Sequence, residues 1–190
     1  MLKIKRITDK KDYFYKKATE LYKSSFPFHE QREEFSQNEI LKNPEYFFCV
    51  ISDSDNNAEV MKEKFVGEIL YWETKDFVYI EHFCIDTKER GKGYGREILL
   101  NLGNEFGIHG KNKTIILEID PPANEISVRR KSFYERADFV ANKYAHVHPP
   151  YHKGASGHKL VVMSYPDVLT EEKYTAFGKY LDNIVMKNVF

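Results

Sequence analysis

The feature that most restricts the fold is a strand that runs through a glycine-spaced turn straight into an amphipathic helix. Residues 77–86, FVYIEHFCID, form the most apolar strand candidate and lead into Arg90-Gly91-Lys92-Gly93-Tyr94-Gly95. Ile98, Leu99, Leu102 and Phe106 then recur at helical spacing. A strand at 114–120, stopped by Pro121-Pro122, and a helix at 125–136 marked by Val128, Phe133 and Ala137 complete a βαβα unit. Such a unit demands a parallel pair within the sheet. A helix leaves its first N–H groups unpaired and carries partial positive charge at that end, so the glycine turn is a natural seat for phosphate.

The rest of the chain adds antiparallel signals. Alternation at Leu2, Ile4 and Arg6 predicts a first strand, and Asp9 or Asp12 opens a helix in which Tyr13, Ala18, Leu21 and Tyr22 share a face. After a break at Phe26-Pro27-Phe28, residues 29–41 read as a second helix. Residues 46–52 and 64–73 read as paired strands around the polar run 53–62, expected to be a mobile hairpin tip. Residues 139–147 and 159–165 form a final strand pair, and Thr170 caps a last helix, about 170–186, carrying Tyr174, Phe177, Leu181 and Ile184. With no internal repeat, the expectation is a single α/β domain over 1–190, with its core at 2–165 and an added C-terminal helix.

Composition narrows the function. Lys plus Arg and Asp plus Glu are both 29, so no net field would hold the chain on nucleic acid or an anionic membrane. No stretch reaches bilayer length, and the N-terminus lacks the apolar core of a signal peptide. Cys49 and Cys84 lie in apolar stretches, the setting of buried hydrophobes in a reducing compartment, so a cytoplasmic location is expected. Dinucleotide-binding folds place similar glycines in their first βα unit, whereas this turn lies mid-chain, and the Gly-Lys-Ser/Thr ending of a triphosphate loop is missing.

At this turn the sequence resembles the GNAT superfamily of N-acetyltransferases. The family's pyrophosphate signature, Arg or Gln, two residues, Gly, one residue, Gly or Ala, matches Arg90-Gly91-Lys92-Gly93-Tyr94-Gly95. A second block, Phe133-Tyr134-Glu135-Arg136-Ala137-Asp138-Phe139, is similar to the family's Phe-Tyr-Glu-Lys-x-Gly-Phe. The resemblance implies the acyl-CoA N-acyltransferase fold: a three-layer domain around a mixed sheet whose fourth and fifth strands splay apart. It further implies that the pantetheine arm of acetyl-CoA lies in that gap, against the backbone of Phe83, Cys84 and Ile85, with the pyrophosphate on the amides of Arg90, Gly91, Lys92, Gly93, Tyr94 and Gly95. Ser127 stands where many members have Asn, and Asp138 where they have Gly. Ser can bond pantetheine or cap the helix, and Asp tolerates a positive φ.

The implied activity is direct transfer of acetyl from acetyl-CoA to a primary amine of a small molecule or peptide, by a monomer or homodimer, with no metal. On strand alternation Glu81 shares a face with Phe77, Tyr79, Phe83 and Ile85, and burial there would raise its pKa towards that of a general base. The competing reading is an ion pair with an Arg or Lys; the functional one, base or amine anchor, is preferred. Some family members place their base two residues earlier, where this chain has Tyr79. His82 would face the opposite way as a packed core histidine. Tyr134 is the candidate acid for the departing thiolate, as in the family block. Cys84, in an apolar strand, reads as inert.

On the acceptor side Phe28 and Glu30 fall where related enzymes build a pocket wall. The loop with His146, His148 and His152 lacks a recognised metal spacing and reads as an aromatic lid through Tyr151. Two rivals remain: a catalytically silent acyl-CoA sensor, and an enzyme acting on a protein N-terminus or lysine.

Overall fold

A computed structural model describes residues 1–54, 63–107 and 109–190, so most of the hairpin tip expected at 53–62 lies outside the described residues. The strands are β1 (Leu2–Arg6), β2 (Tyr46–Ser54), β3 (Glu63–Glu73), β4 (Phe77–Ile85), β5 (Thr114–Ile119), β6 (Val140–Ala141), β7 (His146–His148) and β8 (His158–Tyr165). They run in the order β1-β2-β3-β4-β5-β8-β6, with β7 also on β8. All pairings are antiparallel except β4 with β5, the parallel pair the βαβα pattern requires.

Helices α1 (Tyr15–Ser25), α2 (Glu34–Ile40), α3 (Tyr94–Phe106), α4 (Glu125–Glu135) and α5 (Glu171–Tyr180) cover both faces. On one, Ala18 and Tyr22 of α1, Ile40 of α2 and Phe177 of α5 pack on Leu70, Trp72, Phe77 and Tyr79. On the other, Ile98, Leu99, Leu102 and Phe106 of α3 and Tyr134 of α4 pack on Ile69, Tyr71, Val78, Ile80 and Leu117. The result is a three-layer mixed α/β fold.

Where the structure departs from simple patterning, a specific bond is responsible. Asp9 and Asp12 accept from the amides of Lys11 and Phe14 at 2.9 and 3.0 Å, ordering a turn ahead of α1, which therefore starts at Tyr15 and leaves Tyr13 exposed. The single helix expected at 29–41 is a 3-10 turn at Phe28–Glu30 followed by α2. The extended backbone at Gln31 and Glu33 between them brackets Arg32, whose guanidinium is drawn inward. The strand expected at 139–147 is broken: Asn142 donates to Val162 O and Ser164 Oγ and accepts from Leu169 N, replacing the ladder between β6 and β7. Val128 faces solvent. Thr170 caps α5, which continues as a π turn at Leu181–Val185.

The largest correction lies in β4. Ile80 pairs with Tyr71 and His82 with Leu70, so Glu81 is the extra residue of a β-bulge. The bulge resets the alternation. Glu81 and His82 both face the α1 side, where they meet Trp72 and Tyr22, while Phe83 and Ile85 turn to the α3 side. The expected common face for residues 77 to 85, with His82 opposite, therefore does not exist.

Phe177 is fully buried, with its ring centroid 5.0 Å from that of Tyr79 and 6.1 Å from that of Phe77. Phe177→Ala is expected to lower stability by about 3–5 kcal/mol through transfer and cavity terms, read as a shifted urea midpoint with unchanged slope.

Candidate active site

The parallel ladder between β4 and β5 ends at Ile80↔Leu117, although β4 runs on to Ile85 and β5 to Ile119. Beyond that point the strands diverge, and backbone groups of β4 lose their neighbour. The gap opens a cleft of about 810 Å³ that reaches from the glycine turn, past residues 79–85, to residues 148–151 and His158. One continuous space thus joins a phosphate seat to a polar pocket.

The turn is built for close approach. Asp86 accepts from Lys88 N at 3.0 Å and the Arg90 Nε–H donates to Ile85 O at 3.0 Å, fixing the end of β4. Gly91 and Gly93 take positive φ of 77° and 87°, which an L side chain resists. Gly95 serves packing, since a Cβ there would lie 3.1 Å from Phe133 Cζ. The α3 N-terminus this creates leaves amides available for an anionic group. Arg90, Gly91, Gly93, Tyr94 and Gly95 line the cleft, whereas the Lys92 ammonium turns away to Glu89 at 2.9 Å. The Tyr94 hydroxyl is spent on Asp53 at 2.7 Å, so only its backbone serves the turn.

Of the remaining predicted residues, Phe83 and Ile85 line the gap from β4. Cys84 also borders it, but its sulfur points to Glu68 Oε1 at 3.4 Å, and burial pushes its thiol pKa well up. Burial raises Glu68 itself to about 8. Ser127 is corrected: its Oγ accepts from the amides of Ala123 and Asn124 at 3.0 and 3.1 Å, as half of a capping box, and does not line the cleft. Asp138 holds the positive φ of 63° expected of it. Tyr134 lines the cleft from α4, and burial pushes its phenol up to about 12.

The pocket end contains a buried polar network. Glu81 Oε1 accepts from Arg32 Nη2 at 2.7 Å and from the Tyr151 hydroxyl at 2.9 Å, and Oε2 accepts from Trp72 Nε1 at 2.8 Å. The Arg32 and Glu81 side chains are each only 1% exposed. Burial pushes the Glu81 pKa up, but the adjacent guanidinium outweighs it and holds the carboxyl at about 2. The expected rise towards a base is therefore overturned, and the ion-pair reading is the one realised. Arg32 also donates to Ser36 Oγ at 3.1 Å and to Val185 O at 2.9 Å. His82 lies beside this pair, edge-on to Tyr22 and Phe26, with its pKa lowered by burial.

A second carboxylate lies across the gap. Glu118 of β5 accepts from the Tyr79 hydroxyl and pairs with His146 Nε2, while His148 Nε2 lies 3.9 Å away. Burial opposes its ionisation, yet the two histidines and Tyr79 keep its pKa lowered. His148 Nδ1 is 2.6 Å from Pro149 O, a contact only an N–H can make. In the neutral ring Nε2 then carries the lone pair, 3.4 Å from the Tyr151 hydroxyl.

The lid is anchored from outside. His152 stacks on Phe28 with ring centroids 4.2 Å apart and bonds Phe28 O at 2.9 Å. Phe28, still 73% exposed, forms the outer rim, and of the two phenylalanines flanking Pro27 it is Phe26 that lines the cleft. Glu30 does line it, with its pKa raised by burial and by Asp120.

Residues 13–139 match the model of the acetyltransferase (GNAT) family. The chain belongs to that family. It is an acyltransferase that moves acetyl groups. A protein from Bacteroides thetaiotaomicron assigned to the GNAT acetyltransferases superposes with a TM-score of 0.80 at 28% identity, covering 97% of this chain and 98% of its own. A Vibrio cholerae spermidine N-acetyltransferase, solved with CoA and spermine, shares the fold at a TM-score of 0.58 and 18% identity, over 92% and 98% of the two chains. So does the Escherichia coli ribosomal-protein-S18-alanine N-acetyltransferase, at 0.56 and 18%, over 90% and 97%. Among curated protein sequences none matches this one. Among the described residues no helix is long and apolar enough to cross a membrane.

For this GNAT member, sequence reasoning missed Arg32, Glu118 and His148 as site residues. Glu118 carried a signal, a lone carboxylate in the apolar run of β5, the same kind that singled out Glu81. Arg32 carried none, being 49 residues from its partner.

The Arg32–Glu81 pair has a definite pH signature. Glu81 is held at about 2 against an ordinary 4.5, so its contribution to stability is complete above about pH 4.5 and lost as pH falls towards 2. Arg32→Met strands the carboxylate and is expected to cost about 3–5 kcal/mol at neutral pH. Without its counter-ion the buried carboxyl titrates above 4.5, so that loss should shrink as pH is lowered to about 4, in urea titrations at the two pH values.

Proposed function

We propose that this GNAT enzyme transfers acetyl from acetyl-CoA directly to a primary amine of a small molecule or peptide, in the cytoplasm, as one domain closed by its C-terminal helix. The observation that carries the reading is the single cleft joining the α3 N-terminal amides to a pocket lined by His148, whose Nδ1 bonds Pro149 O and whose Nε2 faces Glu118. Acetyl-CoA would supply an activated thioester. The amides at residues 90–95 fit its pyrophosphate, and the edge of β4 at residues 83–85, past the end of its ladder with β5, fits its pantetheine amides.

Glu81, committed to three donors, acts in this reading as the anchor that holds Tyr151 over the pocket. The base is His148. Its Nε2 takes a proton from the bound ammonium, and anionic Glu118 stabilises the imidazolium that results. The Tyr134 phenol, pushed up to about 12, stays protonated at neutral pH and can donate to the departing thiolate. The buried, protonated Cys84 thiol supports direct transfer in place of an acyl-enzyme. Tyr151, folded inward beneath a lid pinned to Phe28, favours a slim acceptor over a folded protein surface.

Two variants test this. Gly93→Asp places a charge at the proposed pyrophosphate seat and should abolish acetyl-CoA binding in calorimetry. His148→Asn keeps a donor to Pro149 O but removes Nε2. It should lower kcat about 10²–10⁴-fold and flatten the acidic limb of the pH profile, with acetyl-CoA affinity unchanged. Wild-type protein that fails to bind acetyl-CoA would refute the reading. Binding without thiol release with any amine would instead leave an acyl-CoA sensor.

A further inference from the structure

At the mouth of the pocket, away from His148, two imidazoles and a carboxylate converge. His29 Nε2 lies 3.6 Å from Glu30 Oε1, and His158 Nδ1 lies 3.9 Å from the same oxygen. The His29 and His158 ring centroids are 5.3 Å apart, and one ligand atom from each of the three residues falls within 4.8 Å of the others. Four ligands around a zinc ion at about 2.0–2.2 Å lie roughly 3.3 Å from one another. The widest pair therefore needs to close by up to about 1.5 Å, and His29, 59% exposed on a short turn, has the freedom to do so.

A second observation supports ligation. The other nitrogen of His158, Nε2, is 3.4 Å from Asp120 Oδ1, and Arg130 holds the second oxygen of Asp120 at 2.7 Å. Metal-bound histidines characteristically give their far N–H to a carboxylate that is itself held by another group, which fixes the ring and raises its basicity. His158 has that arrangement, with Nδ1 left to face Glu30.

We propose that His29, Glu30 and His158 form a binding site for a divalent ion of the zinc class, with Asp120 as the orienting carboxylate of His158. Two nitrogens and one oxygen suit a borderline ion such as Zn²⁺ and not Mg²⁺, which prefers octahedral oxygen donors. All three residues line the cleft, so the remaining coordination position faces it and is open to water or to an oxygen donor of an acceptor. The loop histidines His146, His148 and His152, which lack a recognised metal spacing, are not part of it. Two of these are committed elsewhere: His146 to Glu118 and Tyr174, and His152 to Phe28. The site is independent of the acetyl-transfer reading.

The test is calorimetric titration of the whole protein with Zn²⁺, alongside the visible absorption of the Co²⁺ form. One equivalent should bind, resist excess Mg²⁺, and give Co²⁺ bands of a four-coordinate site. Binding should be lost in His29→Ala and His158→Ala, weakened about 10–100-fold in Asp120→Asn, and kept in His148→Asn. Thermal melts with and without zinc check the folding of each variant, and only wild type, His148→Asn and, more weakly, Asp120→Asn should gain Tm from the metal. No uptake by wild type, displacement by Mg²⁺, or uptake lost in His148→Asn but retained in folded His158→Ala would overturn the proposal.

Discussion

The Arg32 guanidinium, buried against Glu81, is the contact on which the rest of the site depends. Through it four distant segments meet: the extended residues between the 3-10 turn and α2, the bulge of β4, the lid through Tyr151, and the C-terminal turn through Val185 O. An isolated charge on either partner would be prohibitive at this depth. The pair therefore forms only when all four segments are in place. This explains why the chain breaks its second helix to deliver Arg32, and why the C-terminal extension is more than a cover.

The bulge and the splay are two parts of one device. Parallel pairing of β4 with β5 stops at Ile80, and the bulge follows at once at Glu81. By adding a residue there, β4 turns two successive polar side chains, Glu81 and His82, to the α1 side. Phe83 and Ile85 are left facing the gap towards α3 and α4. A regular strand would have put one polar and one apolar side chain on each face, mixing the lining of the glycine-turn end of the cleft with that of its polar pocket. Bulges near active sites commonly re-aim side chains in this way.

How much of this was legible in the sequence follows from the range of the forces involved. The strand–glycine turn–helix at residues 77–106 and the C-terminal helix are set by local periodicity, backbone chirality and capping, and both were readable, whereas the block at 133–139 was readable through its resemblance to the family. Gly91 and Gly93 were legible because a positive φ leaves a compositional trace. The bulge was not, since it is a property of the β3–β4 pairing and not of either strand alone. The misreading of Glu81 follows from it: burial was inferred correctly, but the sign of a pKa shift depends on which charge lies opposite. Ser127 had two readings open, pantetheine or cap, and the neighbouring amides of Ala123 and Asn124 decided for the cap.

Three carboxylates are buried on the α1 face of the sheet, and their contrast shows what sets their chemistry. Glu81 has a guanidinium and titrates at about 2; Glu118 has two imidazoles and a phenol and is also lowered; Glu68 has only the Cys84 thiol and rises to about 8. Desolvation acts on all three in the same direction, so the partners alone separate them. At neutral pH, Glu68 is thus neutral while the other two are charged. Glu81 is balanced by a cation that cannot lose its proton. Glu118 faces imidazoles, which can accept and release one. One partner fixes a charge and the other couples its carboxylate to rings with two nitrogens each, so among these three carboxylates and their partners proton exchange belongs to the β5 side of the cleft.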